Sequence, residues 1–179
     1  YSNNNNIMCN NITNNGVRIW YMPSLGGIYI LYSNGNNIVY NNITNNDLYG
    51  IHLSESSNNT IMYNDIVNNS DCGIYLLFSN SNNIVYNNVT SNRNGIRLDF
   101  SKNNTIAYNH IVDNSDCGIY LKFSNSNVIV YNNFIDNGYQ ACIVWSTNIW
   151  DLGYPRGGNY WSDHDHTDQY SGPGQNEPG

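Results

Sequence analysis

Residues 57–98 read SNNTIMYNDIVNNSDCGIYLLFSNSNNIVYNNVTSNRNGIRL, two near-copies of one pattern laid end to end. Each copy has an isoleucine after an Asn-Asn-like step, and the same step recurs at Ile7, Ile38, Ile61, Ile84, Ile106 and Ile129. The last five anchors are 23, 23, 22 and 23 residues apart, and the first gap is 31, so one coil carries about eight extra residues. Three residues after each anchor stands an asparagine (Asn10, Asn41, Asn64, Asn87, Asn109, Asn132), and five after it an apolar residue (Ile12, Ile43, Ile66, Val89, Ile111, Phe134). A Gly-apolar-x-apolar step follows, as in Gly73-Ile74-Tyr75-Leu76 and Gly118-Ile119-Tyr120-Leu121, and a serine closes each coil at Ser33, Ser56, Ser79, Ser101 and Ser124.

Repeats of this length define the architecture before any single element does. Short alternating apolar segments separated by Asn, Gly and Ser are strands and turns, and no window shows the spacing of a helix. One coil cannot bury its apolar face alone, so successive coils must stack. The expected fold is all-β, a right-handed, single-stranded parallel β-helix of about six coils, with the hand taken from the rule for parallel connections. Residues 1–149 form the repeats, with an insertion near 13–27, and residues 150–179 an irregular tail rich in Trp, Tyr and Asp.

Asparagine accounts for 39 of 179 residues, although it disfavours ordinary helices and strands. Stacked coils repeat one residue type per column, and an amide both donates and accepts, so each column forms a ladder. A second Asn column, Asn36, Asn59, Asn82, Asn104 and Asn127, does the same. Aromatic columns, Tyr40/Tyr63/Tyr86/Tyr108/Tyr131 and Tyr32/Phe78/Phe100/Phe123, read as packing ladders. The formal charge of −7, with six scattered basic residues, argues against nucleic acid, whose phosphates require Lys and Arg. No apolar run is long enough to span a membrane. The chain enters a repeat at Tyr1-Ser2-Asn3 with no leader, and is read as a mature product or part of something longer.

The coil quoted above resembles the repeats of the NosD-like parallel β-helix family, whose name comes from a periplasmic copper-linked maturation protein. The tail GGNYWSDHDHTDQYSGPGQNEPG, residues 157–179, is similar to the segment closing many archaeal surface proteins of that type. The resemblance implies a right-handed β-helix, an extracellular or cell-surface location, and association with carbohydrate or cell envelope. It does not imply catalysis, since function lives in sites grafted on folds. Nor does copper transfer, because copper needs clustered His, Met or Cys, and three Met and four His stand mostly apart.

The candidate sites are few. Cys72 and Cys117 share a column two coils apart, about 9.6 Å, beyond disulfide reach. Cys9 and Cys142 lie near opposite ends, so no intrachain disulfide is expected. In the tail, Asp163, His164, Asp165, His166 and Asp168 alternate carboxylate and imidazole. Oxygen ligands point to Ca2+ and the histidines to a transition metal, against the plain alternative of a solvated loop. Trp145, Trp150, Tyr154, Tyr160 and Trp161 are expected to cover the open end of the core. The insertion carries Trp20, Tyr21 and Met22, a candidate contact loop. Outward positions His52, Tyr75, Arg97 and Tyr120, with Asp99 and Lys122, form the one patch comparable to a polysaccharide-processing site. The weak catalytic candidates are Arg97, Asp99 and Lys122, and a mixed-charge patch is more often a solvated face. Sequons occur at Asn11, Asn42, Asn58, Asn68, Asn88 and Asn103.

Together these observations lead to an extracellular or cell-surface structural or assembly solenoid, non-catalytic and polymerising end to end into a filament, with self-association or other envelope proteins as partners. The alternative is a carbohydrate-binding or polysaccharide-processing module with a glycan partner.

Overall fold

In a computed structural model, residues 2–16, 26–153, 156–163, 170–171 and 177–178 are described. The chain winds through three parallel sheets. The first stacks Asn6–Met8, Asn37–Val39, Thr60–Met62, Asn83–Val85, Thr105–Ala107 and Val128–Val130. The second stacks Asn11–Thr13, Asn42–Thr44, Asp65–Val67, Asn88–Thr90, His110–Val112, Asn133–Ile135 and Tyr160–Trp161. The third stacks Ile28–Leu31, Ile51–Ser54, Cys72–Leu77, Asn94–Asp99, Cys117–Lys122 and Tyr139–Val144. The anchors fall in register, Ile7 on Ile38 on Ile61 on Ile84 on Ile106 on Ile129, as the period requires. Inward residues of all three sheets form one continuous apolar core.

Strand alternation explains the core, and the corners explain the asparagines. Each corner places one or two residues in the left-handed region, for example Tyr63 at φ 55°, Asn68 at φ 55°, and Phe78 with Ser81 at φ 49° and 56°. That conformation is costly for a bulky side chain. It turns the next residue inward, and there a buried amide offsets the cost. Asn64 Nδ2 donates to Asn87 Oδ1 at 3.0 Å, to Ile38 O at 2.8 Å and to Met62 O at 3.1 Å. Its Oδ1 accepts from the backbone N–H and the amide of Asn41, both at 3.0 Å. Every donor and acceptor of a buried polar side chain is thereby used. The ladder from Asn36 to Asn127 has the same polarity, and a serine ladder lines the corner beside it. A third amide ladder, Asn15, Asn46, Asn69, Asn92, Asn114 and Asn137, occupies the remaining corner.

From Ser2 to Ser146 the spacing between ladders is constant at every corner but one. Between the third amide ladder and the third sheet the chain has three residues in three coils, two at Arg93-Asn94 and at Gly138-Tyr139, and eleven at 16–26. The long insertion and the 22-residue coil both arise there, beside a column of glycines. A Cβ on Gly73 would meet Val89 Cγ1 at 2.6 Å and the Gly95 carbonyl oxygen at 2.8 Å, so the coils approach too closely for a side chain.

Contrary to the expectation of free thiols, Cys117 and Cys142 form a disulfide with their Cα atoms 6.0 Å apart. Cys72 does stand two coils from Cys117, with Asn94 between them. Cys142, although near the opposite end of the rod from Cys9, lies on the strand adjoining that of Cys117. The coil register is unaffected. Cys72 is free and buried, and Cys9 is free and exposed.

At the C-terminal end Ile149 bridges to Val128, and Tyr160–Trp161 pairs with Asn133 and Phe134. Trp161 stacks on Phe134 with centroids 4.6 Å apart, and Trp150 packs beside it. These two tryptophans cover the core, whereas Trp145 is 80% exposed and does not. Tyr154 lies outside the described residues.

Two outcomes are expected. Asn87→Ala leaves the Asn64 backbone N–H without its acceptor and takes one donor each from the Ile61 and Val85 carbonyls, and should cost about 3 kcal/mol in chemical denaturation. Asn88→Ala, at the exposed neighbouring position, should cost under about 0.5 kcal/mol. Reducing the disulfide, which closes a sequence separation of 25, should remove about 3 kcal/mol, read as a lower melting temperature in reductant.

Candidate functional site

The outer face of the third sheet carries one unbroken column: Tyr29, His52, Tyr75, Arg97, Tyr120 and Cys142. The 4.7 Å spacing of the His52 and Tyr75 rings follows from strand spacing. Tyr29 lies 4.9 Å from His52 on the other side. The Arg97 guanidinium sits between two rings, 5.2 Å from Tyr75 and 5.0 Å from Tyr120, as a cation over their faces. Two residues further along its strand, Asp99 accepts from Arg97 Nη2 at 2.7 Å and Nε at 3.2 Å, and from Tyr75 Oη at 3.1 Å.

A solvated face is the sequence expectation for these residues, and the structure corrects it. His52 is 8% exposed and Asp99 6%, because Tyr49 lies across the face with its ring 4.9 Å from His52 and 5.1 Å from Tyr75. Tyr49 comes from the corner of variable length. Burial drives its phenol pKa up to about 12, with Cys72 and Asp71 adding to the effect. Burial also raises Tyr75, reinforced by Asp99, and raises the Cys72 thiol, reinforced by Asp71. The Asp99 hydrogen bonds hold Arg97 still more firmly charged. His52 goes the other way. Burial lowers it from 6.5 to about 4, and neither ring nitrogen has a hydrogen-bond partner.

Asp99 accepts three hydrogen bonds, two from Arg97 and one from Tyr75, and little of its carboxylate faces solvent. Lys122 is the register partner of Asp99 on the next strand but makes no ion pair among the described residues. The structure thus joins His52, Tyr75, Arg97, Asp99 and Tyr120 and leaves Lys122 outside the bonded cluster. Sequence reasoning misses Tyr29, which shares the column, and Tyr49, whose place over the sheet no spacing encodes.

The tyrosine column also closes on itself. Tyr40, Tyr63, Tyr86, Tyr108 and Tyr131 stack at 4.9–5.2 Å with ring planes within 17°. Each ring covers the faces of its neighbours, so no sugar ring can enter between them. Tyr131 packs on a small cluster of Val85, Ala107 and Val130 on the outer side of the first sheet. All six sequon asparagines are exposed. Asp163 is exposed, while His164, Asp165, His166 and Asp168, like Trp20, Tyr21 and Met22, lie outside the described residues.

The description periplasmic copper-binding protein (NosD) matches residues 1–166. The chain belongs to the NosD family. Among the described residues no three His, Cys, Asp or Glu side chains come together, so that part of this NosD chain offers no donor set that fits copper. No curated protein matches the chain. Solved structures do. A point variant of the periplasmic alginate epimerase AlgG is similar with a TM-score of 0.72 and 24% identity, over 83% of this chain and 39% of that one. The unaltered AlgG enzyme gives 0.70 and 23%, over 88% and 39%. This chain therefore spans about two fifths of AlgG, and the likeness is one of fold. Family and neighbours point to an extracellular or envelope location, and a disulfide accords with an oxidising compartment. No helix among the described residues is long and apolar enough to cross a membrane.

The orphaned imidazole has a pH signature. Its folded pKa lies below its unfolded value, so its contribution is intact above pH 6.5 and lost as pH falls toward 4. The loss should be on the order of 3 kcal/mol, seen as a falling melting temperature. His52→Phe should flatten that acid limb.

Proposed function

We propose that this NosD-family chain is a non-catalytic extracellular or cell-surface scaffold whose role is to present a rigid rod. The supporting observation is that its reactive-type side chains are consumed in contacts with each other. Asp99 is bound by Arg97 and Tyr75, Arg97 is held between two tyrosines, and the exposed tyrosines are stacked face to face. Envelope proteins and glycans are the partners this reading implies. The sequons are candidate attachment points on the surface of the rod. Asn58 and Asn103, at left-handed corners, make no side-chain hydrogen bond, whereas Asn42 and Asn88 are tied to Asn11 and Asp65. Calcium at Asp163, Asp165 and Asp168, or another metal with His164 and His166, remains part of the proposal for the tail.

The second reading, a polysaccharide-processing module, draws on the fold shared with an alginate epimerase and on the Arg97–Asp99–Tyr75 cluster. Incubating the chain with neutral and anionic polysaccharides decides between them. The scaffold reading expects no change in chain length or sugar configuration. Turnover that disappears in Arg97→Ala or Asp99→Ala would replace it with the second reading.

A further inference from the structure

Past Val144 an isolated bridge at Ile149 extends the first sheet and the strand Tyr160–Trp161 extends the second, but among the described residues none is added beside Tyr139–Val144 in the third. Among the described residues that six-residue strand pairs on one side only. The core columns show the consequence. Ile143 follows Leu121, which is fully buried, yet Ile143 is 51% exposed. Tyr139 is 67% exposed and Trp145 80%. Beside the edge lies a cavity of about 500 Å³, lined by Gly138, Tyr139, Gln140, Ala141, Trp161 and Asp163. An uncovered strand edge flanked by large apolar side chains is a pairing site.

We propose that this edge pairs antiparallel with the same edge of a second copy of the chain, about a two-fold axis near Ala141 and Cys142. The proposal rests on the scaffold reading and names its partner. A two-fold contact is self-complementary, so Tyr139 and Ile143 of one copy cover the corresponding end of the other. Tyr139, Ile143, Trp145, Ile149 and Leu152 together leave roughly 500 Å² of apolar surface per copy, about the lower limit for a stable interface when doubled. Among the described residues lining the cavity, Asp163 is the one charged side chain.

Sedimentation of the full chain between about 1 and 100 µM tests this, together with amide hydrogen exchange of residues 139–144. A dimer is expected, with those amides protected at high concentration and exchanging on dilution. Trp145→Glu and Ile143→Lys should each raise the dimer dissociation constant at least tenfold, with Trp145→Glu leaving the melting temperature of the monomer unchanged. A full chain that stays monomeric at 100 µM overturns the proposal. So does a dimer indifferent to both substitutions, or one whose 139–144 amides exchange freely. None of these outcomes bears on the absence of polysaccharide turnover, so the two readings fail separately.

Discussion

The structure depends on one constraint: a backbone that turns three corners per coil buries a polar group at each corner, and every such group needs a partner. Asparagine meets the need because its short side chain carries an acceptor and two donors within reach of both the adjacent coil and its own corner. Aspartate would lack the donors, and a longer amide would overshoot. Three amide ladders and one serine ladder result, bonded from coil to coil, with the Nδ2 of Asn148 at the end of the second ladder left without a partner among the described residues. The left-handed corner residues, some of them aromatic, are tolerated because the ladder over-determines their conformation.

Much of this is legible in the sequence because translation along the rod turns spacing into contact. The anchor isoleucines, the first two Asn columns and the closing serines align in space as they align in number. The third amide column also has a fixed spacing, eight residues after each anchor, but the excess of asparagine around it conceals it. The disulfide is illegible for a local reason. In the last coil Gln140-Ala141-Cys142-Ile143 stands where earlier coils have Gly-Ile-x-Leu, so the mark that would place Cys142 beside Cys117 is missing. Burial of the outer face is illegible for a different reason, since it depends on where Tyr49 lands after a corner whose length varies.

The candidate site shows why an inventory of residue types overstates reactivity. Arg, Asp, Tyr and His on one sheet face resemble catalytic equipment on paper. Hydrogen bonded to one another and covered by Tyr49, they behave as a cohesive strip joining four coils. His52 is the exception, a buried imidazole whose nitrogens find no partner, and its cost appears as sensitivity to acid. AlgG shares the fold across a stretch that is about two fifths of its own length. Fold likeness at that identity carries the rod and its ladders, not the enzyme's chemistry.

The corner where coil length varies has a consequence of its own. Two, three or eleven residues occupy it without disturbing any ladder or the register of the anchors. Architecture and surface chemistry are thereby decoupled. New sequence grafted there would alter what lies over the third sheet while the spine of amides went on winding undisturbed. A lineage built on this fold could diversify its outer face at one seam and inherit its rigidity unchanged.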